Sequence, residues 1–202
     1  MEIVLATKNR NKVKEISEKL KIPGLTILTL DNFRNFPEVI EDRSTLEGNA
    51  IKKTSEVSSR TKHMALADDT GLEVDCLKGA PGVYSSRFAG AGCTYKDNNI
   101  KLLKLLLNIP QGKRGALFRT IIAIKIPGKK PVIVEGRCRG AISLKVKGEK
   151  GFGYDPVFIP SGYKKTYAEM SLSFKNRISQ RGKALDKAKK VLLRLIKREI
   201  KM

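Results

Sequence analysis

Two adjacent carboxylates, Asp68 and Asp69, stand in Ala67-Asp68-Asp69-Thr70-Gly71, between the apolar run Met64-Ala65-Leu66-Ala67 and the alternating Leu72-Glu73-Val74-Asp75. The flanking runs read as two short strands, which puts the acidic pair at a strand end, at a mouth rather than in a core. A carboxylate drawn away from bulk water needs a cation or a network of donors. For hard oxygen ligands the fitting cation is Mg²⁺, which takes one or two carboxylates, keeps several waters and uses substrate phosphates for the rest of its shell. A turn is the alternative at this point, since Asp and Gly both favour turns.

Groups able to hold an anion lie elsewhere in the chain. Glu2-Ile3-Val4-Leu5-Ala6 reads as a strand that runs into Thr7-Lys8-Asn9-Arg10-Asn11-Lys12, then a helix from about Lys12 to Lys21 with Val13, Ile16 and Leu20 on one face. Strand, polar turn and helix start together offer backbone N–H groups to an anion. Thr7 and Asn9 add donors and Lys12 a point charge; an N-cap with surface lysines is the alternative. No GxxxxGKS pattern is present, so this is not a P-loop of the usual kind. A loop from Asp31 to Arg43 carries Glu41 and Asp42, and Ser44 or Thr45 caps a helix reaching about Arg60, with Glu47 at capping-box spacing from Ser44. Asn49 and Lys53, one turn apart on that helix, present two donors on one face; a solvated lysine is the alternative for Lys53.

Further along, Arg87 sits in the Gly- and Pro-rich loop Gly79-Ala80-Pro81-Gly82-Val83-Tyr84-Ser85-Ser86-Arg87, where its fork either meets a phosphate or holds the loop. In Gly151-Phe152-Gly153-Tyr154-Asp155-Pro156, two glycines let backbone approach a ligand, Phe152 and Tyr154 can flank a flat ring, and Asp155 can accept from ring N–H groups. A Gly-aromatic turn beside a strand is the structural alternative. Lys175 and Arg181 lie near the start of a final helix that Ser179 can cap, with Leu185, Ala188, Leu192, Leu195 and Ile196 as its apolar stripe.

The elements needed to position these groups alternate between strand and helix. Thr26-Ile27-Leu28-Thr29-Leu30 is a second strand. Thr94 caps a helix from about Tyr95 to Asn108, with Leu102, Leu103, Leu106 and Leu107 facing the core. Ala116 to Ile126 and Pro131 to Arg139 are β-rich runs joined at Pro127-Gly128-Lys129-Lys130, a hairpin signal. The class is α/β, in one domain or two closely packed lobes.

Composition bounds the setting. A chain of 202 residues with 41% hydrophobic residues buries a core without staples. Three well-separated cysteines (Cys76, Cys93, Cys138) suggest neither a disulfide framework nor a zinc site, and point to a reducing, intracellular setting. No apolar run approaches a membrane span and no signal peptide is visible at the start. His63 is the single histidine, which disfavours histidine-based catalysis. The net charge of +21 favours anionic ligands, but Lys and Arg are spread from Lys8 to Lys201, and aromatics are only 6%, so platforms for stacking nucleic-acid bases are scarce.

Six motifs in this order resemble the inosine triphosphate pyrophosphatase family: Thr7 to Lys12, Asn49-Ala50 with Lys53, Ala67 to Gly71, Gly79 to Arg87, Gly151 to Pro156, and Ser179-Gln180-Arg181-Gly182-Lys183-Ala184-Leu185. The resemblance spans Ile3 to about Leu195 as a single domain over residues 1–202. It implies a two-lobed α/β fold around a long, twisted mixed β-sheet flanked by helices, with the active-site cleft between lobes. It also implies a cytoplasmic homodimer, dependent on Mg²⁺, that hydrolyses noncanonical purine nucleotides (ITP, dITP, XTP) to the monophosphate and pyrophosphate and so keeps them out of DNA and RNA.

Matched residue by residue, the resemblance makes Asp69 the catalytic carboxylate and Glu41 and Asp69 the metal-linked positions. Substrate-binding positions fall at Thr7, Lys8, Asn9, Arg10, Asn11, Lys12, Lys53, Thr70 and Arg87 for the phosphate side. Phe152, Gly153, Tyr154 and Asp155 form the base-facing loop, and Lys175, Gln180 and Arg181 read the purine edge. Two departures stand out: Gly48 replaces a second acidic residue before Asn49, and Gln180 replaces the family's histidine. Two rival readings compete with this one. A nucleic-acid-binding protein would bind polyanions with steep salt dependence, and a sugar- or acyl-phosphatase would release orthophosphate.

Overall fold

The computed structural model describes residues 1–199; Lys201, where the basic tail of the sequence ends, lies outside the described residues. In chain order the elements are β1 (Glu2–Leu5), α1 (Arg10–Lys19), β2 (Thr26–Thr29), α2 (Leu46–Thr61), β3 (Met64–Val74), β4 (Pro81–Gly82), α3 (Tyr95–Leu105), β5 (Gly115–Lys125), β6 (Val132–Ile142), β7 (Phe158–Pro160), α4 (Leu172–Ile178) and α5 (Gln180–Glu199). The strands form a seven-stranded sheet in the order β2-β1-β3-β5-β6-β7, with β4 added to β3. Pairing of β1 with β2 and with β3 is parallel, whereas β4 on β3 and β7 on β6 are antiparallel. The sheet is therefore mixed, and the α/β class read from the sequence holds.

The chain divides into two compact units, the first comprising Met1–Asp69, Thr120–Gly136 and the chain from Arg181 onward, the second Thr70–Arg119 and Arg137–Gln180. In the first unit the central strands are covered on both faces, as parallel strands usually are. Ile3, Leu5, Met64 and Leu66 face a core filled by Ile16 and Leu20 of α1 and by Ala184, Leu185, Ala188 and Leu192 of α5. The intervening residues Val4, Ala6, Ala65 and Ala67 face Val57 of α2 and Leu30. Successive strand residues point to opposite faces, so the two cores are read off by parity.

Parity also decides where the acidic pair goes. The sequence suggested two short strands with Asp68 and Asp69 at an end or in a turn. Instead β3 is one strand of 11 residues, and both aspartates lie inside it. Asp is depleted from strands, but here its charges are met by buried cations, which removes the reason for a break. Of two helix starts, one differs from expectation and the other selects between the two caps offered. The helix expected from about Lys12 begins at Arg10, because Asn9 Oδ1 accepts from the N–H groups of Asn11 (3.0 Å) and Lys12 (3.3 Å). Thr45 rather than Ser44 caps α2, its hydroxyl accepting from Gly48 N–H at 3.0 Å, so the capping box anticipated between Ser44 and Glu47 is not the one used.

The second unit has its own core, built from Leu72, Val74, Leu102, Leu106, Phe118, Tyr154, Phe158 and Tyr167. Phe118 meets Phe158 edge-on with ring centroids 4.7 Å apart. Helix α3 stops at Leu105, short of the expected Asn108, and Leu107 is 75% exposed instead of facing the core. Beyond the last helical turn the period that aligned Leu103 with Leu107 no longer applies. Helix α4 was not foreseen: Ser171 caps it, and Ser179, expected at the start of the final helix, stands between the end of α4 and Gln180, the first residue of α5. Among the described residues no helix is long and apolar enough to cross a membrane.

Candidate active site

The first unit brings Lys12, Glu41, Asn49, Lys53, Asp68, Asp69 and Arg181 together. Asp69 shares the parity of Ala65 and Ala67 and so reaches toward α2. There Asn49 Nδ2 donates to Asp69 Oδ2 at 3.2 Å, and Lys53 Nζ lies 3.5 Å from Oδ1. Asn49 cannot turn its amide over, because its Oδ1 already accepts from Arg43 N–H at 2.9 Å. Lys53, itself buried, also donates to Glu41 Oε1 at 2.7 Å and to the Asp68 carbonyl at 2.6 Å. The one-turn spacing of Asn49 and Lys53 puts two donors on one face, as the sequence suggested, and the structure adds that both point at one carboxylate.

Asp68 shares the parity of Met64 and Leu66 and faces α1 and α5. Arg181 donates to its Oδ2 through Nε at 3.1 Å and Nη2 at 3.0 Å, while Nη1 donates to Glu15 Oε2 at 2.6 Å. Lys12 Nζ stands 3.2 Å from Asp68 Oδ1. Asp68 is fully buried, and burial alone would raise its pKa. The adjacent Lys12 and Arg181 charges more than offset this and hold the carboxyl well below the usual range. Asp69 moves the other way. Burial pushes its pKa up, and the opposing pull of Lys53 and Lys12 does not cancel the shift. For Lys53, burial favours the neutral amine, but Asp69 and Glu41 outweigh it and keep the ammonium charged. Glu41 is likewise disfavoured as an anion by burial, yet held low by Lys53 beside it.

Thr7 and Asn9 lie at the end of β1 and are half-buried, with Asn9 N–H donating to Thr7 Oγ1 at 3.2 Å; Lys8, Arg10 and Asn11 are exposed. Gly48, where the resemblance led us to expect an acidic residue, has a local reason. A Cβ there would lie 2.9 Å from Arg43 Cβ and 3.1 Å from the capping Thr45 Oγ1. Glu15 escaped the sequence reading altogether. Its only signal was a charged residue beside Ile16, on the helix side that had to be buried.

In the second unit a separate group forms around Lys175. Its ammonium donates to Asp155 Oδ2 and lies 5.0 Å from the Phe152 ring centroid and 5.7 Å from that of Tyr167. Asp155 Oδ2 also accepts from Phe152 N–H at 2.9 Å, which closes the turn. Gly151 is required here, since its φ is +75° and a Cβ would come within 2.0 Å of Asp155 Oδ2. Tyr154 does not stand beside Phe152 as a second flat wall. It is buried in the core, and its hydroxyl donates to the Ser85 carbonyl at 3.0 Å. Arg87 is half-buried with its guanidinium 5.1 Å from the Tyr84 ring, Thr70 is half-buried on β3, and Gln180 is buried at the first residue of α5.

The first group sets three carboxylates against the buried Lys53 and Arg181 and the half-buried Lys12 beside a helix start, an arrangement able to hold a polyanion and accept a proton. The second sets a cation and a carboxylate beside an aromatic ring, an arrangement able to read a flat heterocycle. Similarity to known proteins agrees with these features. A dITP/XTP pyrophosphatase of Desulforamulus reducens is 52% identical over 195 residues, covering 96% of this chain and 97% of that protein. One from Bacillus cereus is 46% identical over 188 residues, 92% of each. Among solved structures, a HAM1 protein from Coxiella burnetii matches with a TM-score of 0.87 and 37% identity over 96% of this chain and 99% of that one. The Staphylococcus aureus Ham1 protein matches with a TM-score of 0.85 and 34% identity, over 95% and 98%. The model of the Ham1 family matches residues 3–191, from the first strand into the last helix, and the chain belongs to that family.

Proposed function

We infer that this protein is a dITP/XTP pyrophosphatase, a hydrolase that cuts noncanonical purine nucleoside triphosphates to the monophosphate and pyrophosphate. The observation that carries the reading is Lys53, whose Nζ is held 2.7 Å from Glu41 and 3.5 Å from Asp69 while Lys12 stands at Asp68. A triphosphate brings about four negative charges, and this group supplies fixed cations beside a carboxylate that holds its proton more readily than usual. In this reading Asp69 accepts the proton of the water that attacks the α-phosphorus, a contribution of roughly 10²–10⁴-fold. Lys12, Lys53 and the Thr7–Asn9 donors hold the phosphate tail, with the exposed Lys8, Arg10 and Asn11 at its edge and Thr70 following the carboxylates on β3.

The donor set suits Mg²⁺. Glu41 and Asp69 offer hard oxygens only, and among the described residues no group of three or more His, Cys, Asp and Glu side chains forms a complete cage. Two carboxylates completed by waters and phosphate oxygens are what Mg²⁺ accepts. Glu41 and Asp69 would hold the ion, which supplies charge neutralisation and polarisation of phosphoryl oxygens when bound.

For the base, Phe152 provides the flat face and Lys175, steadied by Asp155, donates to the 6-keto oxygen of hypoxanthine or xanthine. Gly153, Tyr154, Arg87 and Gln180 shape the surrounding turn and loop, and Arg181 supports Asp68. The enzyme works as a homodimer in the cytoplasm in this proposal, by likeness to the family. The test is to incubate the protein with ITP, dITP and XTP, with and without Mg²⁺, and identify the products. Metal-dependent release of pyrophosphate is expected. Orthophosphate as the first product would favour a phosphatase, and no hydrolysis together with salt-sensitive nucleic-acid binding would favour the rival binding role.

A further inference from the structure

Helix α3 carries two consecutive buried asparagines, Asn98 and Asn99, that none of the preceding roles uses. Neighbouring helix residues diverge by about 100°, so the pair reaches two different loops of the second unit. Asn99 Nδ2 donates to the Gly153 carbonyl at 2.9 Å, inside the turn that holds Phe152. Asn98 uses both ends of its amide: Nδ2 donates to the Ser86 carbonyl at 3.1 Å and Oδ1 accepts from Ala89 N–H at 2.7 Å. Those two bonds bracket Arg87. One turn earlier, the Tyr95 ring lies 5.9 Å from that of Phe152. The helix start is itself fixed, Thr94 and Asp97 exchanging cap bonds at 2.8 and 3.2 Å.

A solvated loop end needs no such clamps. Gly153 has a φ of +62° with open space at its missing Cβ, so nothing in its own side-chain packing fixes the turn. The Asn99 bond adds a tie from outside the turn to the Asp155 bond that closes it. We propose that Asn98 and Asn99 are positioning residues for substrate recognition: Asn99 sets the turn that presents Phe152 to the base, and Asn98 sets the segment that presents Arg87. Neither touches the reacting atoms. The inference rests on the pyrophosphatase reading and adds to it a named support for base recognition.

The experiment compares wild type with Asn99→Asp, which keeps the shape but replaces the donor with an acceptor facing the Gly153 carbonyl. Because base contacts are made equally before and during the chemical step, their loss should raise KM and spare kcat. We expect KM for ITP to rise at least about tenfold with kcat within about threefold. The inhibition constant of IMP should rise in parallel, that of pyrophosphate should stay put, and the preference for ITP over ATP should fall. Asn99→Ala, which removes the donor without adding charge, carries the same readouts if the aspartate variant does not fold. Unchanged KM and IMP inhibition would overturn the proposal, as would equal weakening of IMP and pyrophosphate, which marks general damage. Absence of ITP hydrolysis by wild type would instead overturn the functional reading itself.

Discussion

Asp68 and Asp69 are neighbours in sequence yet point to opposite faces of one strand, and their environments push their acidities apart. Asp68 is gripped by Arg181 and Lys12 and stays ionised. Asp69, buried and facing Asn49 and Lys53, has its pKa raised. Two carboxylates with separated pKa values are a sign of divided labour; in the proposed mechanism Asp68 holds the scaffold and Asp69 exchanges a proton.

Asp69→Asn should keep the fold and nucleotide binding but lose at least about 10²-fold in turnover. Because the native environment disfavours the ionised form of Asp69, neutralising it should leave the melting temperature at pH 7 unchanged or slightly higher. Steady-state kinetics and a thermal melt check both halves, and unchanged turnover would remove Asp69 from the role of base.

Asp68→Asn should act on stability. It leaves the buried Arg181 guanidinium short of a counter-charge, and breaking a buried pair costs about 3–5 kcal/mol. For a chain of this size that lowers the melting temperature by on the order of 10 °C. A loss of only a degree or two would show that Glu15 alone satisfies Arg181.

Acid should reveal the same pair. The Asp68 pKa is depressed in the folded state, so its stabilisation is fully present above the unfolded value of about 3.9 and is lost as pH falls from there toward the lower folded value. Urea midpoints of the wild type should drop steeply below about pH 4, and Asp68→Asn should flatten that dependence.

The pH–rate profile should report Asp69. Its pKa is raised, first by burial, and a proton acceptor must be ionised to work. Activity should therefore fall on the acid side, at a pH above the ordinary carboxylate range when Mg²⁺ is subsaturating and at a lower pH when it is saturating, since an ion held by Asp69 favours the carboxylate. Replacing Lys53 by Met, which removes the nearest opposing charge, should move that limb higher still. A limb that stays where it was would mean that another group governs it.

Lys175→Ala should weaken discrimination between ITP and ATP. The Lys175 ammonium, held by Asp155 beside Phe152, is the donor proposed for the 6-keto oxygen. An adenine amino group at that place leaves it unmatched, and mismatches of this kind cost large factors. Competing-substrate kinetics measure the change, and retained strong preference for ITP would assign recognition to other groups.

Periodicity made some of this architecture legible from the sequence and hid the rest. The strand Glu2–Leu5 was readable from its unbroken apolar run Ile3-Val4-Leu5, and the helix bearing Asn49 and Lys53 and the stripe Leu185, Ala188 and Leu192 were readable from their helical spacing. Helix α4 was not, since it has only 7 residues and its most buried side chains are the polar Lys175 and Asn176, with Phe174 and Ile178 only partly buried against the core. The continuity of β3 was hidden by two aspartates whose compensating charges come from Lys12 and Arg181 for Asp68 and from Lys53 for Asp69, all outside the strand. Distance along the chain concealed the place of Arg181: nothing local says that its partners are Asp68 and Glu15. Tyr154 looked like a ligand wall because an aromatic beside glycine is ambiguous until its hydroxyl is seen to bond inward.

The two carboxylates proposed to grip the ion differ in how firmly they are mounted. Asp69 rides on a paired strand, whereas Glu41 hangs from the irregular stretch between Asn32 and the Thr45 cap, where its Oε1 accepts from Lys53. Fastening that stretch costs chain freedom whenever the acidic pair assembles. Shortening it or stiffening it with an added proline would thus tune ion affinity like the tension of a spring, with the strand-borne group left untouched.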